Sequence, residues 1–192
     1  MSRLISYIKN KFKQRTLRSL YPKMVYGIHH KGKFLADTRL GNTTTIIMPE
    51  NLELENNVFI GQYNFIEASN NVTIEEGVQI TNYISVLTHS SHISIRLYGE
   101  EYRNVKHPVG YKKGSVKIGK YTFIGPHSTI MPGTKIGKGC LVSAYSMVKG
   151  DIPDFAIVSG NPAKISGTTK DLDKNYLEKH PELEGFYRAW AE

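Results

Sequence analysis

An aliphatic residue recurs at every sixth position in two long blocks of this sequence. The twelve positions are Leu54, Ile60, Ile66, Val72, Val78, Ile84, Ile118, Ile124, Ile130, Ile136, Val142 and Val148. Ordinary strands alternate with period two and do not keep a six-residue frame through their turns. A fixed repeat is instead typical of a fold in which similar units stack on one another.

The repeat predicts a triangular coil in which each six-residue unit forms one flat side. Three such sides make one rung, and each aliphatic side chain points inward onto its equivalent in the next rung. The position two residues earlier also points inward but has less room, and small residues occupy it: Val116, Thr122, Ser128, Thr134, Cys140 and Ser146. Cys140, the only cysteine, is therefore predicted to be a small core residue rather than a reactive thiol, and no disulfide within the chain is expected.

The two blocks are out of frame, because the distance from Ile84 to Ile118 along the chain is not a multiple of six. Residues 88–115 are therefore predicted to form a loop that leaves the coil, and this loop contains His89, His92 and His107. Long loops in compact domains are usually functional or disordered. The histidines and tyrosines of this loop favour function.

The net charge of +8 comes mostly from the segment 1–33, which includes no acidic residue. Apolar residues at near-helical spacing predict a basic helix over residues 2–20. This helix either packs on the coil or on a neighbouring subunit, or it lies on an anionic membrane face. A helix broken near Pro181 is expected at the C-terminus. The sequence has neither a signal-like run nor a membrane-spanning run, so we expect a cytoplasmic protein. No nucleic-acid-binding motif accompanies the basic charge, so we expect no nucleic-acid partner.

The later block ends in Ser159-Gly160-Asn161-Pro162-Ala163-Lys164, preceded by Asp151-Ile152-Pro153. With the repeat, this segment resembles the hexapeptide-repeat acyltransferases, among them galactoside, maltose, xenobiotic and surface-polysaccharide O-acetyltransferases. The resemblance implies an all-β, left-handed parallel β-helix with a long inserted loop and short terminal helices. It also implies a homotrimer with acetyl-CoA bound between neighbouring coils.

We expect three segments: a basic helical lead-in over residues 1–45, the β-helix over residues 46–166 with its inserted loop, and a C-terminal helix over residues 167–192.

The resemblance also implies site residues. His89 is the first histidine of a His-x-x-His arrangement with His92, and it matches the family's general base. The resemblance implies that the acceptor hydroxyl attacks the thioester directly, without an acyl-enzyme. Asn64 aligns with an asparagine that contacts the acceptor, although a turn residue would fit equally well. Five residues align with positions along acetyl-CoA: Gly125, Ser143, Ala144, Lys149 and Lys164. Pro126 departs from the pattern because it lacks the N–H that would stabilise the oxyanion.

The sequence therefore predicts acetyl transfer from acetyl-CoA to a hydroxyl of a sugar or surface polysaccharide. The alternatives are a xenobiotic (antibiotic) O-acetyltransferase and an amino-sugar N-acetyltransferase. A zinc enzyme resembling carbonic anhydrase is a more distant alternative, with His89, His92, His107 and His127 as candidate ligands, and a catalytically silent scaffold is another. We expect no metal site.

Overall fold

The computed structural model describes residues 2–192, with side chains described for residues 5–14 and 21–192. Its α-helices are α1 (Ser2–Leu20), α2 (Ser94–Tyr98), α3 (Thr169–Lys179) and α4 (Glu184–Ala191), and its 3₁₀ helices are Pro49–Asn51, Gly99–Asn104 and Pro181–Leu183. The strands are short, and in chain order they are β1 (Met24–His30), β2 (Lys33–Gly41), β3 (Thr45–Ile47), β4 (Leu52–Leu54), β5 (Phe59–Ile60), β6 (Phe65–Glu67), β7 (Val72–Ile74), β8 (Gln79–Ile80), β9 (Ser85–Val86), β10 (His89–Ser90), β11 (Lys112–Lys113), β12 (Val116–Ile118), β13 (Phe123–Ile124), β14 (Thr129–Ile130), β15 (Lys135–Ile136), β16 (Leu141–Val142), β17 (Met147–Val148), β18 (Asp151–Ile152), β19 (Ala156–Gly160) and β20 (Ala163–Thr168).

Three sheets of parallel strands form the three faces of a coil. Face A contains β2, β5, β8, β13, β16 and β19, with β1 and β20 added antiparallel at its two ends. Face B contains β3, β6, β9, β14 and β17, and face C contains β4, β7, β12, β15 and β18. The chain runs from face A to B to C and back, so each rung has an A–B corner, a B–C corner and a C–A corner.

The core is the column of side chains inside the coil. All twelve aliphatic residues of the six-residue frame are buried, none more than 8% exposed, which confirms their predicted inward direction. The small residues two positions earlier are buried as well, including Cys140 at 2% exposure. Because burying an aliphatic side chain stabilises a fold by about 1.5–3 kcal/mol, this column is the main source of stability.

The predicted rung of three six-residue sides is correct for the later block and wrong for the earlier one. In the later block Lys117 pairs with Lys135, which is three such sides further along the chain. In the earlier block Phe65 pairs with Ser85, which makes that rung longer by two positions. The extra positions lie at the B–C corner, between β6 and β7.

This longer rung changes which residues fill the core of the earlier block. Val72, Val78 and Ile84 occupy the smaller inner positions there, while Ile74, Ile80 and Val86 continue the aliphatic stacks. Both sets are buried, so the six-residue frame remains intact on either side of the break.

Aromatic rings stack along the A–B corner. Tyr63, Tyr83, His127 and Tyr145 all have positive φ, between 58° and 60°. Successive ring centroids lie 4.8–5.1 Å apart with nearly parallel planes. A left-handed conformation costs a non-glycine residue about 1–2 kcal/mol, and stacking worth about 0.5–1.5 kcal/mol per ring pair offsets part of that cost.

The two ends of the chain differ in how they pack. Helix α1 confirms the predicted N-terminal helix, and its residues 5–14 are exposed, with Ile5 and Ile8 about half accessible. Leu4, Leu17 and Leu20, which belong to the near-helical apolar spacing of residues 2–20, lie outside the described side chains. At the C-terminus, Trp190 packs on Tyr121 and Phe155, which docks α4 onto the C–A corner. Across the described residues, no helix is long and apolar enough to cross a membrane.

Candidate active site at the B–C corner

The inserted segment leaves and rejoins the coil at the B–C corner. It begins after β9 on face B and ends at β12 on face C. Its two ends form an antiparallel ribbon in which His89 pairs with Lys113, and the Gly114 amide donates to the Thr88 carbonyl oxygen at 3.0 Å. His89, at the start of this ribbon, is therefore held by backbone pairing and by the buried Thr88 beside it.

A buried carboxylate meets His89. Glu67 Oε2 lies 2.8 Å from His89 Nδ1, and the side chain of Glu67 is only 6% exposed, against 34% for His89. Thr88 donates to the same oxygen from its hydroxyl at 2.5 Å and from its amide at 3.1 Å. Ser69 donates to Oε1 from its amide at 2.9 Å and also from its hydroxyl. The carboxylate is therefore fixed by donors on both oxygens.

These donors keep Glu67 ionised. Burial raises the pKa of the Glu67 carboxyl, but hydrogen bonds from Thr88 and Ser69 and the charge of His89 outweigh it and lower the net pKa. An ionised carboxylate can only accept, so His89 Nδ1 must donate the proton between them. With Nδ1 occupied by this hydrogen bond, Nε2 is the ring nitrogen that can accept a proton from a substrate.

Tyr111 packs against the imidazole ring. The rings of Tyr111 and His89 stack with centroids 5.5 Å apart and planes within 14°. Burial raises the pKa of the Tyr111 hydroxyl, and Tyr102 and Glu67 raise it further, so the hydroxyl stays protonated near neutrality. Tyr111 thus limits the directions from which a substrate can approach His89.

Two cavities meet at Tyr111. The first, which we call the apolar groove, has a volume of about 590 Å³ and runs along the later rungs; it is lined by Ser90, His92, Tyr111, Lys112, Lys113, Met131, Pro132, Met147 and Lys149. The second, the basic cleft, has a volume of about 530 Å³ and runs along the earlier rungs; it is lined by Ser69, Asn70, Tyr102, Arg103, Val105, Lys106, His107, Pro108, Tyr111 and Lys113. Tyr111 and Lys113 line both cavities, and the stacking of Tyr111 on His89 places both cavities next to the imidazole.

The residues predicted along acetyl-CoA do not all lie near His89. Lys149 lines the apolar groove together with His92. Gly125, Ser143 and Ala144 lie at the A–B corner instead, where a Cβ on Gly125 would come within 2.6 Å of the Ala144 amide nitrogen. Lys164 is exposed on β20, at the end of face A. Within one chain, therefore, only Lys149 of these five residues shares a corner with His89.

Asn64, predicted to contact the acceptor, is buried at the A–B corner with 2% exposure. Its amide nitrogen donates to the Thr81 carbonyl oxygen at 2.8 Å, and its amide oxygen accepts from the Ile84 amide at 2.8 Å. Both polar ends thus hold the backbone of the next rung. This geometry favours the turn role that the sequence left open, so we leave Asn64 out of the proposed acceptor site. Pro126, which would deny the oxyanion a donor, lies at the same corner, away from His89.

The four histidines of the zinc alternative do not converge. His127 stacks with Tyr83 at the A–B corner, whereas His107 lines the basic cleft and His92 the apolar groove. Among the described side chains, no three His, Cys, Asp or Glu residues come together as metal ligands. The residues therefore do not form the three-histidine site that this alternative requires.

Sequence reasoning did not identify Glu67, Ser69, Thr88 or Tyr111. Glu67 follows the inward Ile66. If each rung consisted of three six-residue sides, Glu67 would be an ordinary outward residue with no predicted contact to His89. The signal that would have found it is the second aliphatic frame of Ile74, Ile80 and Val86, which marks the longer rung. In that register Ser69 occupies the position equivalent to His89, one rung earlier.

Comparisons with known proteins agree with this architecture. Residues 115–150 match the family described as bacterial transferase hexapeptide (six repeats). The chain is 31% identical over 133 residues to serine acetyltransferase 2 of Arabidopsis thaliana, covering 69% of this chain and 38% of that protein. It is 32% identical over 115 residues to galactoside O-acetyltransferase of Escherichia coli, covering 59% of this chain and 52% of that protein. The chain thus spans about half or less of the length of these two curated relatives.

Among solved structures, a variant of AntD, an N-acyltransferase from Bacillus cereus in complex with dTDP and coenzyme A, superimposes with a TM-score of 0.56. The alignment has 20% identity and covers 74% of this chain and 88% of that one. These findings confirm the predicted fold class, an all-β left-handed parallel β-helix with an inserted loop and terminal helices. The chain is therefore similar to acetyltransferases over much of its length, and its residues 115–150 match the bacterial transferase hexapeptide family.

Proposed function

We propose that this chain transfers an acetyl group from acetyl-CoA to a hydroxyl group of a sugar or polysaccharide, with His89 as the general base. The observation that carries the proposal is the Glu67–His89 pair beside Tyr111, whose ring stacks on His89 and lines both cavities. A carboxylate-held imidazole is a base suited to a hydroxyl, which must lose its proton as it attacks a thioester. The similarity to acetyltransferases, including one that acts on galactosides, supports the same reaction class.

The proposed reaction is direct. The acceptor hydroxyl oxygen forms a bond to the thioester carbonyl carbon while its proton passes to Nε2 of His89. Glu67 stabilises the imidazolium that results, through its contact with Nδ1. The tetrahedral intermediate then collapses with cleavage of the carbon–sulfur bond, and the coenzyme A thiolate takes the proton from His89. The proposed reaction does not pass through an acyl-cysteine, because the only cysteine, Cys140, is buried within the coil and out of reach of the thioester.

The apolar groove is the proposed site for the acetyl-CoA arm. Met131, Pro132 and Met147 offer an apolar wall to a long, narrow pantetheine chain, and Lys112 and Lys149 offer cations to its phosphates. Gly125, Ser143 and Ala144 belong to this donor site only if a second copy of the chain places its A–B corner beside His89, and Lys164 belongs to it only if the end of face A of that copy lies there too. We therefore propose a homotrimer with sites between subunits, which light scattering on the purified protein would test.

The exposed face of α1 supports a proposed contact with an anionic membrane surface. Ile5, Tyr7 and Ile8 are exposed next to Lys9, and the helix has no acidic residue. Deleting residues 1–20 should abolish sedimentation with liposomes that contain anionic lipid. Undiminished sedimentation of the shortened protein would remove this proposal.

The reaction is tested by incubating the purified protein with acetyl-CoA and single acceptors. Galactosides, glycan fragments, an amino sugar and an antibiotic alcohol would be compared by thiol release and by mass spectrometry for gain of one acetyl group. We expect His89→Ala to reduce turnover by about 100-fold or more. His180→Ala is the matched control, because His180 is exposed at the end of α3, its ring pairs with Glu182, and it lines neither of the two cavities. Full activity in His89→Ala would exclude His89 as the base.

A further inference from the structure

We propose that the basic cleft binds a negatively charged group, phosphate or carboxylate, carried by the acceptor, so that the acceptor is an anionic sugar. This inference rests on the proposed function and adds the chemical class of its acceptor. It comes from the side chains that the inserted segment places beside the Glu67–His89 pair.

The charge of the cleft is one-sided. Its lining includes Arg103, Lys106, His107 and Lys113 and no acidic residue. Among the described side chains, none of these three Arg and Lys residues lies within 4.0 Å of a carboxylate. Cations that gather around a concave surface and have no carboxylate partner of their own create a positive potential that favours an anionic ligand. Guanidinium and ammonium groups also supply the charge-assisted hydrogen bonds that phosphate and carboxylate oxygens accept.

The cleft is joined to the catalytic pair through two of its lining residues. Ser69 lines the cleft, and its hydroxyl donates to Glu67 and lies 3.5 Å from His89 Nδ1. Tyr111 lines the cleft and stacks on the His89 ring. A molecule that places its anionic group among the basic residues would therefore extend toward His89. A volume of about 530 Å³ accommodates a sugar with such a group.

Coenzyme A also carries phosphates, which makes the donor the competing ligand for the basic cleft. Direct transfer requires donor and acceptor to reach His89 from different cavities. The apolar groove, with Met131, Pro132 and Met147, matches the pantetheine arm and has its own lysines, Lys112 and Lys149. The basic cleft has only Val105 and Pro108 as aliphatic lining, and it shares only Tyr111 and Lys113 with the apolar groove. It is therefore the cavity left for the acceptor.

The test measures binding and does not depend on turnover. Equilibrium binding of glucose 1-phosphate, glucuronate and uncharged glucose would be measured at low ionic strength with the unmodified protein and with R103Q/K106Q. We expect an anionic sugar to bind at least about tenfold more tightly than glucose, and the double variant to lose about tenfold in that affinity. The phosphate and carboxylate probes distinguish the two sources of charge.

A matched control comes from face C of the coil. Lys135 is exposed there and has no ion pair among the described side chains. Lys135→Gln removes one positive charge away from the cleft and should change the affinity for an anionic sugar less than about twofold. Because R103Q/K106Q removes two positive charges, a loss of affinity larger than twice the free-energy effect of Lys135→Gln is local to the cleft.

Two results would overturn the proposal. The first is equal binding of both anionic sugars and glucose, whatever the variant. The second is a tenfold loss of acetyl-CoA affinity in R103Q/K106Q with unchanged affinity for the anionic sugars, which would assign the cleft to the donor. Failure of the proposed acetyl transfer is seen separately, since an inactive protein that still binds anionic sugars through Arg103 and Lys106 would leave this inference standing.

Discussion

Glu67 and His89 are 22 residues apart in the chain, yet their Oε2 and Nδ1 atoms lie 2.8 Å apart at the B–C corner. The contact depends on the longer rung of the earlier block, because the two additional corner residues carry Ser69 into register with His89 and place Glu67 beside the imidazole. The same corner supplies the donors that hold the carboxylate. The Glu67–His89 contact is therefore a product of the irregularity in the repeat.

Replacing Glu67 by Gln should lower kcat by about 100-fold with little change in KM for acetyl-CoA. The amide keeps the shape of the side chain but no longer stabilises an imidazolium by charge. Steady-state kinetics check this, with Glu53→Gln as a control, because Glu53 is exposed and pairs with Lys31, away from the site. A raised KM with unchanged kcat would show that Glu67 acts on binding and not on the proton transfer.

Glu67 should also make stability depend on pH. Because its pKa is lower in the folded protein than the value of about 4.3 for a free glutamate, the ionised carboxylate stabilises the fold above that value. The contribution is lost as the pH falls through the lowered pKa. The difference in free energy of unfolding between the wild type and Glu67→Gln should therefore be larger at neutral pH than at about pH 3, measured by urea denaturation. A difference that is the same at both pH values would contradict this prediction.

Tyr111 should act through its ring more than through its hydroxyl. Tyr111→Phe keeps the stacking on His89 and should retain activity within about threefold, whereas Tyr111→Ala removes the shared wall of both cavities and should lose about tenfold or more. Initial rates with both variants give the comparison. Equal loss in the two variants would assign the role to the hydroxyl group instead.

Adjacent residues on face C should differ sharply in their effect on stability. Ile136 is buried in the core, and Ile136→Ala should reduce the free energy of unfolding by about 2–5 kcal/mol. Its neighbour Lys135 is exposed, and Lys135→Ala should change it by no more than about 0.5 kcal/mol. Chemical denaturation of both variants measures the two values. Similar values would show that the inward stack does not dominate stability.

The sequence by itself determined the coil and its inward residues. These follow from a local rule, since each aliphatic residue must leave water and the six-residue frame turns it to the same side every time. The point at which the frame breaks also located the inserted segment with its three histidines, and the resemblance to hexapeptide-repeat acyltransferases selected His89 among them.

Only the tertiary structure decided which side chains meet His89. Glu67 and Tyr111 come from different parts of the chain, and their contacts depend on rung length and on the path of the inserted ribbon. Asn64 and His127 were also candidates from the sequence, but Asn64 is buried against backbone groups and His127 stacks with Tyr83 at another corner. A side chain's role here is set by neighbours that are adjacent in space, and a shift of two positions in one corner changes those neighbours while leaving the hydrophobic pattern intact.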